Sequence, residues 1–419
     1  MKVFDKETIR SIYNPQIKQL WQTSPDTFPD FLPTFDNNIK NTNEQWITNA
    51  SDTIQKQLHT CPNLFGKERW RNKTEHLLTT LLNKAPLLGL SNAMSQELQQ
   101  EFLQETKRFL KRSRDFDKEL SIEDLGQAIR NYIVYGVFCI LSDMPQHCHS
   151  AIWGYSMLYP YTDNYIDSHS ISSDDKNKFN QFIYAKLKGK RISPVTKAQT
   201  QTGALLDAVE SFYPRSCNSD IYDGLLMMLE AQEYSLKQAK ESLSEEDILA
   251  ISIYKGGVSV LLDRFYVEKE MTEEEIRFYL AYGFFLQLAD DLQDISSDEL
   301  EGSRTILNLQ SDSAYKERMV NKILHFLHTI LTTWLPESKK AADGYDFTSF
   351  LLNKCYLLIL SAVWRSKEHF TDDYLTKVEA ALPISFAYIE TTTKSFNSKP
   401  QGNSDSLMTA LDVLLENMS

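Results

Sequence analysis

The sequence carries no Walker-type glycine loop and no GxSxG turn, so phosphate cradling by a P-loop and α/β-hydrolase chemistry are both excluded. Its 8 histidines never fall at metal-ligand spacing, and no Glu stands three residues before a His, which removes the di-iron carboxylate bundle. Cationic charge is scarce. The 44 Lys and Arg against 57 Asp and Glu leave a net charge of −13, which argues against a nucleic-acid partner and against attachment to an anionic membrane. The five cysteines (Cys61, Cys139, Cys148, Cys217, Cys355) are scattered and never spaced as CxxC. They read as reduced, structural thiols of a cytoplasmic protein. No uninterrupted apolar run approaches the about 18 residues of a spanning helix, Tyr132 to Leu141 being typical of the longest, so no transmembrane segment is expected. The N-terminus, MKVFDKETIRSIYNP, lacks the apolar core of a signal peptide. Alternating strands flanked by Asn-Gly or Asp-Gly turns, low-complexity linkers and repeats are also missing.

What is present is helical periodicity. Segments 90–114 and 223–243 place apolar residues at three- and four-residue intervals. Helix starts are legible where Ser121 precedes Asp124, Ser244 precedes Asp247 and Thr272 precedes Glu275, each in the pattern of a capping box. Prolines between Pro15 and Pro33 predict an irregular segment over about 1–35, and TTTKSFNSKPQGNSDS predicts a loop before a last helix from Leu407 to Met418. These features predict an all-α chain, a single domain over 1–419 of roughly a dozen or more helices.

Two acidic clusters stand out. In AYGFFLQLADDLQD, Asp290 and Asp294 lie one turn apart on one helix face, with Cβ atoms roughly 5–6 Å apart, and Asp291 lies on the adjacent edge. Unpaired carboxylates ending an apolar helix repel each other, and a hard divalent cation such as Mg²⁺ would neutralise them. A helix end that merely reaches solvent is the plain alternative. Gln287, one turn earlier, is placed to bond a metal-bound water, and Gly283 to clear volume beneath. The second cluster, Asp163 and Asp167, occurs 127 residues upstream in WGYSMLYPYTDNYIDS, with Tyr159 and Ser156 behind it on the same face and Pro160 expected to bend the helix. Two such rims suit Mg²⁺ ions gripping a diphosphate above an apolar, aromatic cavity.

These motifs resemble the all-α isoprenoid synthases. QLADDLQD is similar to their second aspartate-rich motif and TDNYID to the DxxxD motif of the squalene/phytoene synthase branch. With Arg130-Asn131 upstream and SSDELEGSRT downstream, the pattern is most similar to the large-terpene synthases of the tetraprenyl-β-curcumene synthase type (class IB), over residues 120 to 310 or so. The squalene-synthase motif carries an acid where Ile166 stands, and trans-prenyl elongases begin theirs with paired aspartates where this chain has Thr162-Asp163-Asn164. Both departures leave cyclising or eliminating chemistry ahead of condensation.

The resemblance implies a terpenoid-synthase helical bundle around a central apolar cavity. It implies a Mg²⁺-dependent class I terpene synthase, a carbon–oxygen lyase acting on a linear all-trans prenyl diphosphate of roughly C20 to C35. Asp163, Asp167, Asp290, Asp291 and Asp294 would hold about three Mg²⁺ ions, and Arg130, Lys255 and Arg304 would contact diphosphate. Ser156, Tyr159, Gly283, Phe284 and Gln287 would line the substrate pocket, and a homodimer is compatible with the family. Each residue has a plainer assignment: a structural ion pair for Arg130, a surface position for Lys255, core packing for Tyr159, Tyr165, Phe284 and Phe285, ordinary packing for Gln232 and Tyr234, and pairing with Asp263 or Glu268 for Arg264. Gly256-Gly257, beside Lys255, is expected to weaken or break its helix near the rim. A prenyltransferase joining two prenyl diphosphates and a non-catalytic helical scaffold are the alternative functions.

Overall fold

A computed structural model describes residues 3–62, 64–168, 170–239, 243–336, 345–397 and 402–416. The fold is all-α, with no β-strand among the described residues. All three forecast helix starts are reciprocal capping boxes: the Ser121, Ser244 and Thr272 side chains accept from the backbone three residues on, and Asp124, Asp247 and Glu275 reach back to the cap N–H groups. The chain divides into two compact units, Met1–Phe28 with Glu119–Lys340 and Pro29–Lys118 with Ala341–Ser419.

The first unit contains both acidic motifs. Its helices include α1 (Asn14–Thr23), α2 (Ile122–Leu141), α3 (Ser150–Asp167), α4 (Ser173–Leu187), α5 (Lys197–Phe212), α6 (Ser219–Ser235), α7 (Glu245–Val267), α8 (Glu273–Gln293), α9 (Ile295–Glu301) and α10 (Ser313–Thr329). Helix α7 is apolar on every face and buried over most of its length, as a central helix must be, and it packs on α8, α6, α2 and α1.

Its crossing with α8 is set by glycine. A Cβ on Gly256 would lie 2.3 Å from the Gly283 carbonyl oxygen, and one on Gly283 would lie 2.2 Å from that of Gly256. Two expectations are corrected here. Gly256-Gly257 does not break its helix, because α7 is continuous and the lost propensity is offset by close backbone packing. Gly283 does not open a pocket, because the α7 backbone fills the space. One residue on, Phe284 is fully buried edge-on to Trp21 (5.6 Å between centroids) and Phe326 (5.4 Å), so it is aromatic core rather than pocket wall.

The expected irregular N-terminus is corrected only in part: residues 6–23 are helical, with Pro15 in the first turn of α1, whereas residues 24–36, which hold Pro25, Pro29 and Pro33, form no helix. Helix α3 runs through Pro160 without ending.

In the second unit, the helices Asn37–His59, Lys67–Lys84, Gln96–Phe116 and Gly402–Leu415 pack around Trp70, Ala410 and Val413. Arg114 grips Asp412 through two bonds, Nε–Oδ1 at 3.0 Å and Nη2–Oδ2 at 3.1 Å. The predicted last helix begins earlier than expected, at Gly402. TTTKSFN, expected in a loop, completes the helix Phe386–Asn397, and residues 398–401 lie outside the described residues. Among the described residues one helix, Phe347–Arg365, is long and apolar enough to cross a membrane by length and composition. It buries Leu351, Ile359, Leu360 and Val363, and its Lys354 ammonium donates to the Leu87 carbonyl.

Candidate functional site

At the C-terminal end of α3, Asp163 Oδ1 accepts a bond from Gln232 Nε2 of α6 at 2.7 Å and one from Thr162 Oγ1 at 3.1 Å. A carboxylate bonded by a neutral amide is held in place without being neutralised. Asn164 turns away and donates to Asp124 Oδ1 at 2.7 Å. The backbone of Asp167 belongs to α3, but its side chain lies outside the described residues.

Deeper along α3, Ser156 is completely buried, so its expected place on a pocket wall is corrected. Asn131 Nδ2 of α2 is 3.3 Å from both Ser156 Oγ and Asp263 Oδ1 of α7, which ties three helices at one point. Asp263 is fully buried, and desolvation pushes its carboxyl well above the usual range, only partly opposed by the Asn131 amide. Arg264 does not pair with it. The guanidinium bonds Glu275 Oε1 at 2.9 Å and Glu268 Oε2 at 3.3 Å. From the sequence Asp263 figures only as a candidate partner of Arg264, and its one further signal there is an acid inside the apolar run VSVLLDRFYV.

Helix α8 ends at Gln293, and the N–H of Asp294 closes the last turn on the Asp290 carbonyl at 3.0 Å. Asp290 and Asp294 are exposed, whereas Asp291 is buried. Gln287 Nε2 donates to Asp291 Oδ1 at 2.8 Å, which gives Gln287 a direct role in holding the carboxylate. Asp291 Oδ2 is buried with no hydrogen-bond partner. Burial first, then the charges of Asp290 and Asp298, push the Asp291 carboxyl up to about 7, against Gln287 and Lys255, which oppose the shift. The segment SSDELEGSRT is partly helical. Its first half forms α9, where Asp298 is likewise pushed up to about 7 by burial and by Asp294, Asp290 and Glu301, with Lys255 opposing. Asp298 was missed, although its spacing continues Asp290 and Asp294 at every fourth residue. Half-buried Lys255 is thus a cation within electrostatic reach of the whole α8–α9 cluster.

Tyr159 connects the two motifs. The residue is 40% exposed, yet the surrounding protein desolvates its hydroxyl. Desolvation, then Asp163, then Asp290 push the phenol up, Arg130 opposes them, and Asp263 adds a smaller upward push. One hydroxyl therefore senses the acidic ends of both α3 and α8 together with the exposed Arg130 of α2. Arg304 is engaged elsewhere: Nη1 donates to the Leu243 carbonyl at 2.9 Å, and its backbone exchanges bonds with Gln238 at 3.2 and 2.8 Å. Tyr234 lies under the Lys237 ammonium, 5.1 Å from its ring centroid, and Tyr165 packs on Phe179 at 4.3 Å.

Among the described residues no group of three or more His, Cys, Asp or Glu side chains is gathered closely enough to hold a metal ion by itself. Mg²⁺ does not require one, since it commonly takes one or two carboxylates and completes its octahedron with phosphate oxygens and water. The unpartnered Oδ2 of Asp291 and the mutual repulsion of Asp290, Asp291 and Asp298 fit a hard cation shared with a phosphate, not a protein-only cage. No protein-family model, curated protein or solved structure matches the chain.

Proposed function

We propose that the protein is a Mg²⁺-dependent class I terpene synthase, ionising a linear all-trans prenyl diphosphate of roughly C20 to C35 to a terpene hydrocarbon and diphosphate. What supports this proposal is that the carboxylates ending α3 and α8 are each held by an amide, Asp163 by Gln232 and Asp291 by Gln287 with its Oδ2 left unpartnered, while Asp163 and Asp290 both push the Tyr159 phenol up and Arg130 opposes them. Acidic helix ends on α3 and α8 that both act on the Tyr159 hydroxyl, with Arg130 and Lys255 as cations, suit an anionic leaving group brought in with its own counter-ions.

Asp163, Asp290, Asp291 and Asp294, with Asp167, would hold Mg²⁺, which when bound offsets the charge of the departing diphosphate. Gln232 fixes Asp163 and Gln287 fixes Asp291, so both carboxylates are oriented before substrate arrives. Arg130 and Lys255 add positive charge to the diphosphate as the allylic carbon–oxygen bond breaks and its electron pair leaves with oxygen. The Tyr159 ring offers its π face to the resulting cation. Loss of a proton to the departing diphosphate completes the elimination without a dedicated protein base.

Diphosphate release from C10 to C35 all-trans prenyl diphosphates, measured with and without Mg²⁺, tests the proposal. Turnover of one chain length that needs Mg²⁺ and is abolished in Asp163→Asn and in Asp290→Asn is expected. Equal background release by wild type and both variants at every length would refute it.

A further inference from the structure

In the second unit, two bulky apolar residues stand side by side in solvent: Leu64 is 79% exposed and Phe65 91%. Single exposed apolar residues are ordinary, but an adjacent pair at this exposure is not. The pair has a firm base. Gly66, in the left-handed region at φ 85°, turns the chain into the helix Lys67–Lys84, and Trp70 in that helix's first turns is buried against Ala410 and Val413, with its indole N–H on the Gln57 carbonyl at 3.0 Å.

The surroundings are basic in an acidic protein. Between Lys56 and His76 there are five Lys and Arg (Lys56, Lys67, Arg69, Arg71, Lys73) against Glu68 and Glu75, in a chain of net charge −13. Lys67 and Arg71 are paired with Glu416, and Lys107 holds Glu75. Arg69 and Lys73, one turn apart and exposed, form no ion pair among the described residues. The distant carboxylates do not cancel this stripe, because exposed charges are screened beyond about 8 Å at physiological salt.

We propose that this tip is a peripheral membrane-docking point: Leu64 and Phe65 insert among acyl chains while Arg69 and Lys73 rest on anionic lipid headgroups. A lipid surface fits better than a protein partner. A stable protein interface covers about 800 Å² on each side, far more than two side chains supply, whereas interfacial binding needs only a small apolar insertion and nearby cations. The proposal stands independently of the reaction proposed above.

Co-sedimentation of the full chain with vesicles of neutral phosphatidylcholine, or of phosphatidylcholine with phosphatidylserine, tests it. Binding to the phosphatidylserine vesicles alone, weakened by salt, is expected. Arg69→Gln with Lys73→Gln should weaken that binding about 30-fold, from about 1 kcal/mol for each cation. Leu64→Ser with Phe65→Ser should weaken it at least about tenfold, with thermal melting unchanged in both variants. Protein that stays in the supernatant with both vesicle types would overturn the proposal, as would either double variant binding like wild type. A Phe65→Trp variant gives an independent reading, since its emission should be quenched by brominated acyl chains, and no quenching at saturating lipid would also overturn it.

Discussion

Replacing Asp291 with Asn should stabilise the protein in metal-free buffer, by an amount that grows with pH. The carboxyl moves from an ordinary 3.8 to about 7 in the fold, chiefly because burial disfavours its charge. The folded state therefore keeps a proton between about pH 4 and 7 that the unfolded chain has released, and the linkage sign makes stability fall as pH rises through that window. Three units at about 1.4 kcal/mol each set a ceiling of about 4 kcal/mol by pH 8. Asn avoids this cost and still presents an oxygen to Gln287 Nε2, although its NH₂ then occupies the unpartnered Oδ2 position, which offsets part of the gain. Because the chain has two compact units, amide exchange within α8 is a better measure than one unfolding midpoint. In EDTA, protection of α8 amides in Asp291→Asn relative to wild type should be almost unchanged near pH 4 and rise by about 10- to 1000-fold by pH 8. A gain independent of pH, or lower protection at every pH, would refute the reasoning. Mg²⁺ with diphosphate should then narrow the difference, since ligands that bind only the folded wild type stabilise it selectively.

Asp263→Asn should flatten the fall of melting temperature as pH rises above the ordinary carboxylate range, because burial raises that carboxyl too and its proton stabilises the fold at the acidic end. An unchanged pH profile would contradict this. Gly256→Ala drives a methyl to 2.3 Å from the Gly283 carbonyl oxygen and should cost about 3 kcal/mol, read as a large drop in melting temperature. Arg114→Lys loses the two-pronged grip on Asp412 and should lower the stability of the second unit by about 1.5–3 kcal/mol, visible as faster exchange in the helix Gly402–Leu415. Arg130→Gln should lower kcat for diphosphate release by about 10²-fold or more with little change in thermal melting.

What the sequence makes legible is local. The capping boxes at Ser121, Ser244 and Thr272 need only four residues each, and all three form. The acidic pairs are likewise visible from i,i+4 spacing, and continuing that count reaches Asp298. The contact between Gly256 and Gly283 was not readable, because two glycines 27 residues apart reveal a shared purpose only once α7 and α8 cross. Phe284 and Ser156 went to the wrong side for the same reason. A position on a helix gives its neighbours along that helix, while the face turned to the core depends on partners such as Trp21 or Asn131 that are distant in sequence. Phe347–Arg365 has no unbroken apolar run of spanning length because Asn353 and Lys354 interrupt it, although the helix as a whole is apolar.

On the proposed function, the two acidic helix ends act on one prenyl diphosphate. The most direct measurement is incubation of purified protein with Mg²⁺ and each all-trans prenyl diphosphate from C10 to C35. Organic extracts would be read by gas chromatography with mass spectrometry beside an Asp290→Ala control. A hydrocarbon with the carbon count of a single substrate, absent from the control, is the predicted result. A product of summed carbon count, or no hydrocarbon from any chain length, would contradict it.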